Sequence, residues 1–151
     1  MTNIRPAAPI DAAALAELRW EFRSAKTPPV ETHEQFVSRC TLWMRAELER
    51  ESWRAWIAED GERVLGQLWL QLVSKLPNPA TERECHAYIS NVYVTPAARG
   101  GVGARLLQTA LDWASSHDVD RVILWPTPRS RTLYERHGFG VSGNVLELTC
   151  G

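Results

Sequence analysis

Cysteine is scarce. The chain has 3 in 151 residues, and Cys40, Cys85 and Cys150 stand far apart, with neither a pairing pattern nor metal-ligand spacing. That excludes a disulfide-stapled fold and gives no reason to expect a metal. No apolar run approaches the ~20 residues needed to cross a bilayer, so no membrane association is expected. Met1 to Pro9 lacks the apolar stretch of a signal peptide. The reading is a reduced, cytoplasmic chain. An excess of one charge is also missing: 17 basic side chains face 18 acidic ones, a net charge of −1. Such a balance argues against a main task of gripping nucleic acid or an anionic surface, although a local basic site remains compatible with it. There is no internal repeat, low-complexity tract or long linker. Lys26-Thr27-Pro28-Pro29 and Leu76-Pro77-Asn78-Pro79-Ala80-Thr81 read as loops rather than domain boundaries. A single domain over 1–151 is expected. A chain of this length buries roughly 68–70% of its unfolded surface without staples.

The chain is rich in tryptophan, with 7. Large rigid rings of this kind serve mainly as core and rim packing. Thr2 to Arg5 reads as a short strand. Asp11 is placed to cap a helix reaching about Arg23, with Ala14, Leu15, Leu18 and Phe22 as its core stripe and Trp20 off that stripe. Thr32 and Gln35 have the spacing of a capping box, opening a second helix to about Arg50 with Phe36, Val37, Cys40 and Met44 on its apolar face.

Strands follow. Trp53 to Ala58 leads to a two-residue hairpin turn at Asp60-Gly61. Arg63 to Val73 alternates, with Val64, Leu68, Leu70 and Leu72 on one side and Gln67, Trp69 and Gln71 on the other. Arg83 to Val94 alternates too. Glu84, His86, Tyr88 and Ser90 share one side, and Cys85, Ala87, Ile89, Asn91 and Tyr93 the other. The order then changes. Gly101 to about Ser116 is an amphipathic helix, and Arg121 to Trp125 a short apolar strand covered on both faces. Thr127-Pro128 reads as a cap followed by proline at the first helical position, and that helix stops at Gly138. Asn144 to Thr149 reads as a closing strand. The expected architecture is α/β. Its mixed sheet has antiparallel N-terminal strands and one parallel pair around the helix after the glycine turn, with helices on both faces.

Two segments carry chemistry. In Val94-Thr95-Pro96-Ala97-Ala98-Arg99-Gly100-Gly101-Val102-Gly103-Ala104 a strand ends, a turn with three glycines follows, and a helix begins. Such glycines let successive backbone N–H groups face one concavity, and a helix start with roughly half a positive charge then favours a diphosphate. Arg99 adds a full charge. A ligand-free tight turn is the other reading. No Gly-Lys-Ser/Thr ending exists, so this is not a Walker loop. A nicotinamide fold would place its glycine turn after the first strand, not behind an antiparallel run. The second segment is Leu133-Tyr134-Glu135-Arg136-His137-Gly138-Phe139, a helix end with an aromatic cluster.

In this order and spacing, with a helix and the strand Val122 to Trp125 between them, the two segments resemble the GCN5-related N-acetyltransferase family. Element order resembles that family along nearly the whole chain. Residue identity is concentrated in Val92 to Leu107 and Thr127 to Phe139. The resemblance implies acetyl-CoA as co-substrate, with its pyrophosphate at Arg99, Gly100, Gly101, Val102, Gly103 and Ala104. It implies pantetheine along the main chain of Val92 and Val94, with Thr127 and Ser130 at the start of the late helix. It sets Tyr134 near the thioester sulfur. The turn departs from the family pattern. Aligning Gly101 and Gly103 leaves Ala98 where Arg or Gln is usual, whereas aligning Arg99-Gly100 shortens the turn by one residue. Thr127 stands where the family often has Asn.

The implied reaction moves an acetyl group from a thioester to a primary amine, with a small molecule as the expected acceptor. A peptide or protein amine is the alternative, and a non-catalytic CoA-binding module on the same fold another. A homodimer is compatible with the reading, and nucleic acid is not an expected partner. Deprotonating an alkylamine at pH 7 costs ~4–5 kcal/mol, so a base or water chain is expected. Glu84 and His86, on the strand leading to the pantetheine site, are the candidates, and His86 has the better unperturbed pKa. Tyr134 is the candidate donor to the leaving sulfur. For the acceptor, Trp20, Glu21, Trp43 and Trp69 are the residues of interest, since a carboxylate beside aromatic faces suits a cationic amine.

Overall fold

In the computed structural model, which describes residues 1–151, five strands form one sheet. They are β1 (Asn3–Pro6), β2 (Trp53–Asp60), β3 (Arg63–Ser74), β4 (Cys85–Val94) and β5 (Arg121–Ile123). They lie side by side in chain order. The first four pair antiparallel, and β5 joins parallel to β4. The helices are α1 (Ala12–Ser24), α2 (His33–Arg50), α3 (Val102–Ser116) and α4 (Arg131–Arg136). The α/β architecture is the expected one, because only a crossover as long as α3 can return the chain parallel to β4.

Two apolar layers hold the sheet. Leu106, Leu107 and Ala110 of α3 pack on Trp56, Leu68, Leu70, Ala87 and Ile89. Leu15 and Ala16 of α1 and Met44 of α2 pack on Ala55, Ile57 and Trp69 from the opposite face. A buried polar chain crosses the second layer: Trp69 Nε1 donates to Gln67 Oε1 at 2.8 Å, and Gln67 Nε2 donates to the Leu15 carbonyl at 3.0 Å. Trp53 packs edge to face against Trp43 and Trp69, and those two are tilted to each other, with centroids 5.5 to 6.1 Å apart. Trp53 and Trp69 belong to this layer, and Trp43 lies partly exposed at its rim.

Local chemistry decides where expectation and structure part. The Thr32–Gln35 capping box is reciprocal, at 3.2 and 3.0 Å. Asp11 precedes α1 but its carboxylate does not cap the helix; it pairs with Arg5 at 2.9 Å and accepts the Ala8 N–H at 2.7 Å. Ala14 is exposed, and the buried stripe of α1 is Ala12, Leu15, Ala16 and Leu18. The hairpin turn is Gly61-Glu62, one residue later than expected, because Asp60 stays in the ladder opposite Arg63. The turn before α4 is closed by Thr127 and Ser130. Thr127 N–H donates to Ser130 Oγ at 3.0 Å, Ser130 N–H donates to Thr127 Oγ1 at 3.2 Å, and α4 proper begins at Arg131 instead of Pro128. Gly138 ends α4 with φ +92 as a left-handed residue, and the Phe139 N–H reaches back to the Tyr134 carbonyl at 3.2 Å. The expected closing strand at Asn144 to Thr149 is absent. β5 spans only Arg121–Ile123, a short edge for a further strand, and the terminal segment lies exposed beside it.

Two bulges shift the alternation. In β3, Glu59 pairs with Val64 and Ala58 with Gly66, so Leu65 is the extra residue. Val64 therefore joins Trp69 on the α1–α2 side instead of Leu68 and Leu70. In β4, Asn91 and Val92 stand between the pairs Trp69–Ser90 and Gln67–Tyr93, and Asn91 takes φ +59. Beyond it Tyr93 turns to α1 and Val94 to α3, so Tyr93 does not share a face with Ala87 and Ile89 as simple alternation requires.

Candidate active-site cleft

β4 and β5 are joined only over His86–Arg121, Ala87–Val122 and Tyr88–Ile123. β4 runs on to Val94 with no strand beside it on that edge, and the chain after β5 turns away. The parting strands open a cleft of about 780 Å³. Its floor is Tyr88 to Val94. One wall is the end of α1, carrying Arg19, Glu21, Phe22, Arg23 and Lys26. The other holds Leu124, Trp125, Thr127, Arg129, Ser130, Leu133 and Tyr134, and Arg99, Gly100 and Gly103 close one end. Backbone groups on an unpaired strand edge are open to an extended ligand.

The glycine turn has the geometry of an anion cradle. Pro96–Ala98 form a single 3₁₀ turn, Arg99 is extended, and Gly100 and Gly101 take φ +137 and +102. A Cβ at either glycine meets nothing within 4 Å, so both border open space. No side chain caps the start of α3, which leaves its first N–H groups free for an anion. Arg99 Nε donates to the Val94 carbonyl at 3.2 Å, so its side chain folds back over the strand end. These features fit a diphosphate. Val102, Gly101 and Ala104 belong to the turn but do not line the cleft itself.

Tyr134 is buried, 8% exposed, and lines the cleft with no hydrogen bond from its hydroxyl to the protein. Phe139 packs edge to face against its ring, with centroids 5.7 Å apart. Its hydroxyl is protonated at neutral pH, as in any tyrosine, and burial pushes its pKa further up. Val92, Val94, Thr127 and Ser130 are brought to the same cleft.

Glu84 and His86 are not. Glu84 precedes β4, and its carboxylate accepts the Asn78 N–H at 3.1 Å in the β3–β4 loop. His86 lies opposite Arg121 where β4 and β5 are still paired, its Nδ1 3.9 Å from an Asp120 carboxylate that also holds Lys75. Extended chain from His86 to Val94 spans on the order of 25 Å. β4 begins at Cys85 instead of Arg83, so His86 lies at its far end and Glu84 just outside it. Trp20 packs against His33 and Phe36 between the helices, while Glu21 does line the cleft, as its only carboxylate.

Sequence reading missed several lining residues: Arg19, Arg23, Lys26, Tyr88, Asn91, Trp125 and Arg129. The first three recur at i, i+4 and i+7, a helical stripe legible in the sequence. Asn91 gives no signal in a strand pattern. Its side-chain oxygen accepts from Arg19 Nη1 at 3.0 Å, which ties the bulge to α1.

The sequence profile of the acetyltransferase (GNAT) family matches residues 13–139. Among curated proteins, the chain is 28% identical to a probable N-acetyltransferase of Mycobacterium tuberculosis, over 95% of this chain and 83% of that one. Among solved structures, it resembles a predicted acetyltransferase from Clostridium acetobutylicum crystallised with acetyl-CoA. The TM-score is 0.79 at 22% identity, covering 99% of this chain and 96% of the other. It also resembles a ribosomal-protein-alanine N-acetyltransferase from Brucella melitensis, with TM-score 0.72 at 19% identity over the full length of both chains.

Proposed function

The chain belongs to the acetyltransferase (GNAT) family and is an acyl-CoA-dependent acetyltransferase; from that premise we propose that it carries the acetyl group of acetyl-CoA to a primary amine of a small molecule, by direct attack in a ternary complex. The observation that carries this reading is one cleft in which a free strand edge, an uncapped glycine cradle and a buried tyrosine hydroxyl meet. The cradle of Gly100 to Ala104 takes the pyrophosphate, the edge of Val92 and Val94 the pantetheine arm, and Thr127 and Ser130 border that arm.

In the reaction the amine nitrogen bonds to the acetyl carbon, the carbon–sulfur bond breaks, the amine gives up a proton and the thiolate gains one. Tyr134 has two functions here. Its hydroxyl donates to sulfur as charge builds, and its burial in the cleft wall holds the ring in place for that contact. An ordinary tyrosine of pKa about 10 is already a weaker acid than a thiol of about 8.5, and burial weakens Tyr134 further, so full transfer is uphill and a strengthening hydrogen bond is the role that fits. Holding both substrates in the cleft supplies much of the remaining acceleration. No step passes through Glu84 or His86, which lie outside the cleft. Glu21 is the carboxylate within reach of an entering ammonium, and its proton leaves through water. The three free thiols, Cys40, Cys85 and Cys150, support a reducing compartment and take no part.

The test is calorimetric binding of CoA followed by thiol release from acetyl-CoA over a panel of amines. Single-site binding and amine-dependent thiol release are expected. Folded protein that binds no CoA at micromolar ligand overturns the proposal.

A further inference from the structure

The cleft is strongly positive in a chain that is not. Five of its side chains are cationic (Arg19, Arg23, Lys26, Arg99 and Arg129) against one carboxylate, Glu21, while the whole chain carries a net −1. Arg99 and Arg129 sit at the glycine turn and before α4, beside the groups proposed for CoA. The other three lie on α1, on the opposite wall.

The α1 cations form one stripe, since Arg19, Arg23 and Lys26 follow at i, i+4 and i+7. None of them is in an ion pair, whereas seven of the chain's 17 basic side chains are, namely Arg5, Arg39, Arg50, Arg54, Lys75, Arg83 and Arg131. Arg19 is half-buried and held by the Asn91 side chain at 3.0 Å. Phe22 stacks on Tyr93 at 4.8 Å, and Arg23 and Lys26 lie 5.5 and 5.2 Å from its ring centroid. The stripe is therefore fixed to the cleft floor at two points. Like charges on one wall, with burial already disfavouring the Arg19 cation and Arg23 adding to it, leave an unbalanced field that an anion relieves. Glu21 projects from the same stretch of α1, beside Tyr93.

Resting on the acetyl-transfer reading above, we infer that the acceptor is an anionic amine: its ammonium meets Glu21, and a carboxylate or phosphate on the same small molecule meets Arg19, Arg23 and Lys26. A neutral or polycationic amine leaves the stripe unpaired and is a poor substrate.

Matched pairs test this. Thiol release is measured with an amino acid and its carboxamide, and with phosphoethanolamine and ethanolamine, in wild type and in Arg23→Gln/Lys26→Gln. The two pairs separate carboxylate from phosphate as the anion. Wild type should prefer the anionic member of at least one pair at least tenfold in kcat/KM, and added salt should reduce that preference. The double variant should bring it within about threefold, with the KM for acetyl-CoA unchanged. If the two cations serve only the end of α1, melting temperature falls and the preference stays, which overturns the inference. So does a wild type that prefers neutral amines, or a rise in acetyl-CoA KM alone. CoA binding with no thiol release from any anionic amine overturns the inference and leaves the cofactor site standing, whereas absence of CoA binding removes the reading beneath it. Arg19→Lys, which keeps the charge but shortens the reach to Asn91, should retain the preference.

Discussion

Arg19 of α1 and Asn91 of β4, far apart in the chain, are joined by a single 3.0 Å hydrogen bond between side chains. Asn91 is also the left-handed residue of the bulge, with φ +59. One residue thus sets the strand's change of face and anchors the wall that confronts it. Asn91→Gly keeps the backbone free to adopt this φ and loses only the bond. Asn91→Ala loses the bond and adds backbone strain of roughly 1–2 kcal/mol. Melting temperatures should fall in the order wild type, Gly, Ala, and an Ala variant as stable as Gly contradicts the assignment.

The second prediction concerns the cradle. Gly101→Asp puts a carboxylate where phosphate is proposed to sit, and nothing in the protein lies within 4 Å of its Cβ. The chain should fold, with a strain penalty on the order of 1–3 kcal/mol, and CoA binding should vanish in calorimetry. Gly61→Ala in the β2–β3 hairpin, also at positive φ, is the control. It should lose comparable stability and keep its CoA affinity.

Third, Tyr134→Phe should lower kcat with little change in acetyl-CoA affinity, because the hydrogen bond grows mainly in the transition state. Loss of one such donor costs ~2.7–4 kcal/mol in oxyanion sites. A smaller drop, under about a hundredfold, is expected because a thiolate already leaves well and water can substitute. Wild-type turnover under conditions where chemistry limits the rate would falsify the role.

The same residue gives a pH prediction. Burial raises the folded pKa of Tyr134, while an unfolded tyrosine ionises near 10. Below that value both states are protonated and nothing changes. As pH rises from the unfolded pKa toward the folded one, the unfolded chain ionises first, and folded stability drops. Denaturant midpoints between pH 8 and 11 should fall more steeply in wild type than in Tyr134→Phe. The buried Tyr93, shifted the same way and also disfavoured by Glu21, maintains part of the slope in both proteins.

A fifth prediction leaves the cleft. Gln67 is fully buried and receives the Trp69 indole N–H. Gln67→Leu orphans that donor and should destabilise the protein by about 1–3 kcal/mol, read from urea unfolding. An unchanged midpoint would show that the N–H finds another acceptor.

Periodicity was enough for the layers, the capping box at Thr32, the glycine stop at Gly138 and the parallel pairing of β4 with β5. It failed where one residue breaks the period. Leu65 and Asn91 are ordinary in sequence, yet each shifts the strand beyond it to the opposite face. The bulge conformation is selected by the neighbouring strand and helix, which no local pattern encodes. The cleft's glycine turn and Tyr134 side were legible because they are contiguous motifs. Its α1 wall comes from a distant stretch of chain, and only the fold brings the two together. His86 lies on the expected strand and Glu84 just before it, both beyond the cleft, since alternation reports a face and says nothing of position along the strand.

The order of the sheet also bears on the sequence of events as the chain is made. The first four strands each pair with the one before it, β2 to β4 as a direct meander, so these contacts can close as residues emerge. β5 must wait for the whole of α3 to be synthesised, and Tyr134 emerges later still. At ~5–20 residues per second the interval is on the order of seconds. During that time the cleft edge of β4 is bare, and the wall bearing Arg19 and Glu21 faces nothing. The candidate cleft is thus completed only once α3 and α4 have been made, and a nascent chain stopped before α4 has its first four strands paired without the wall that carries Tyr134.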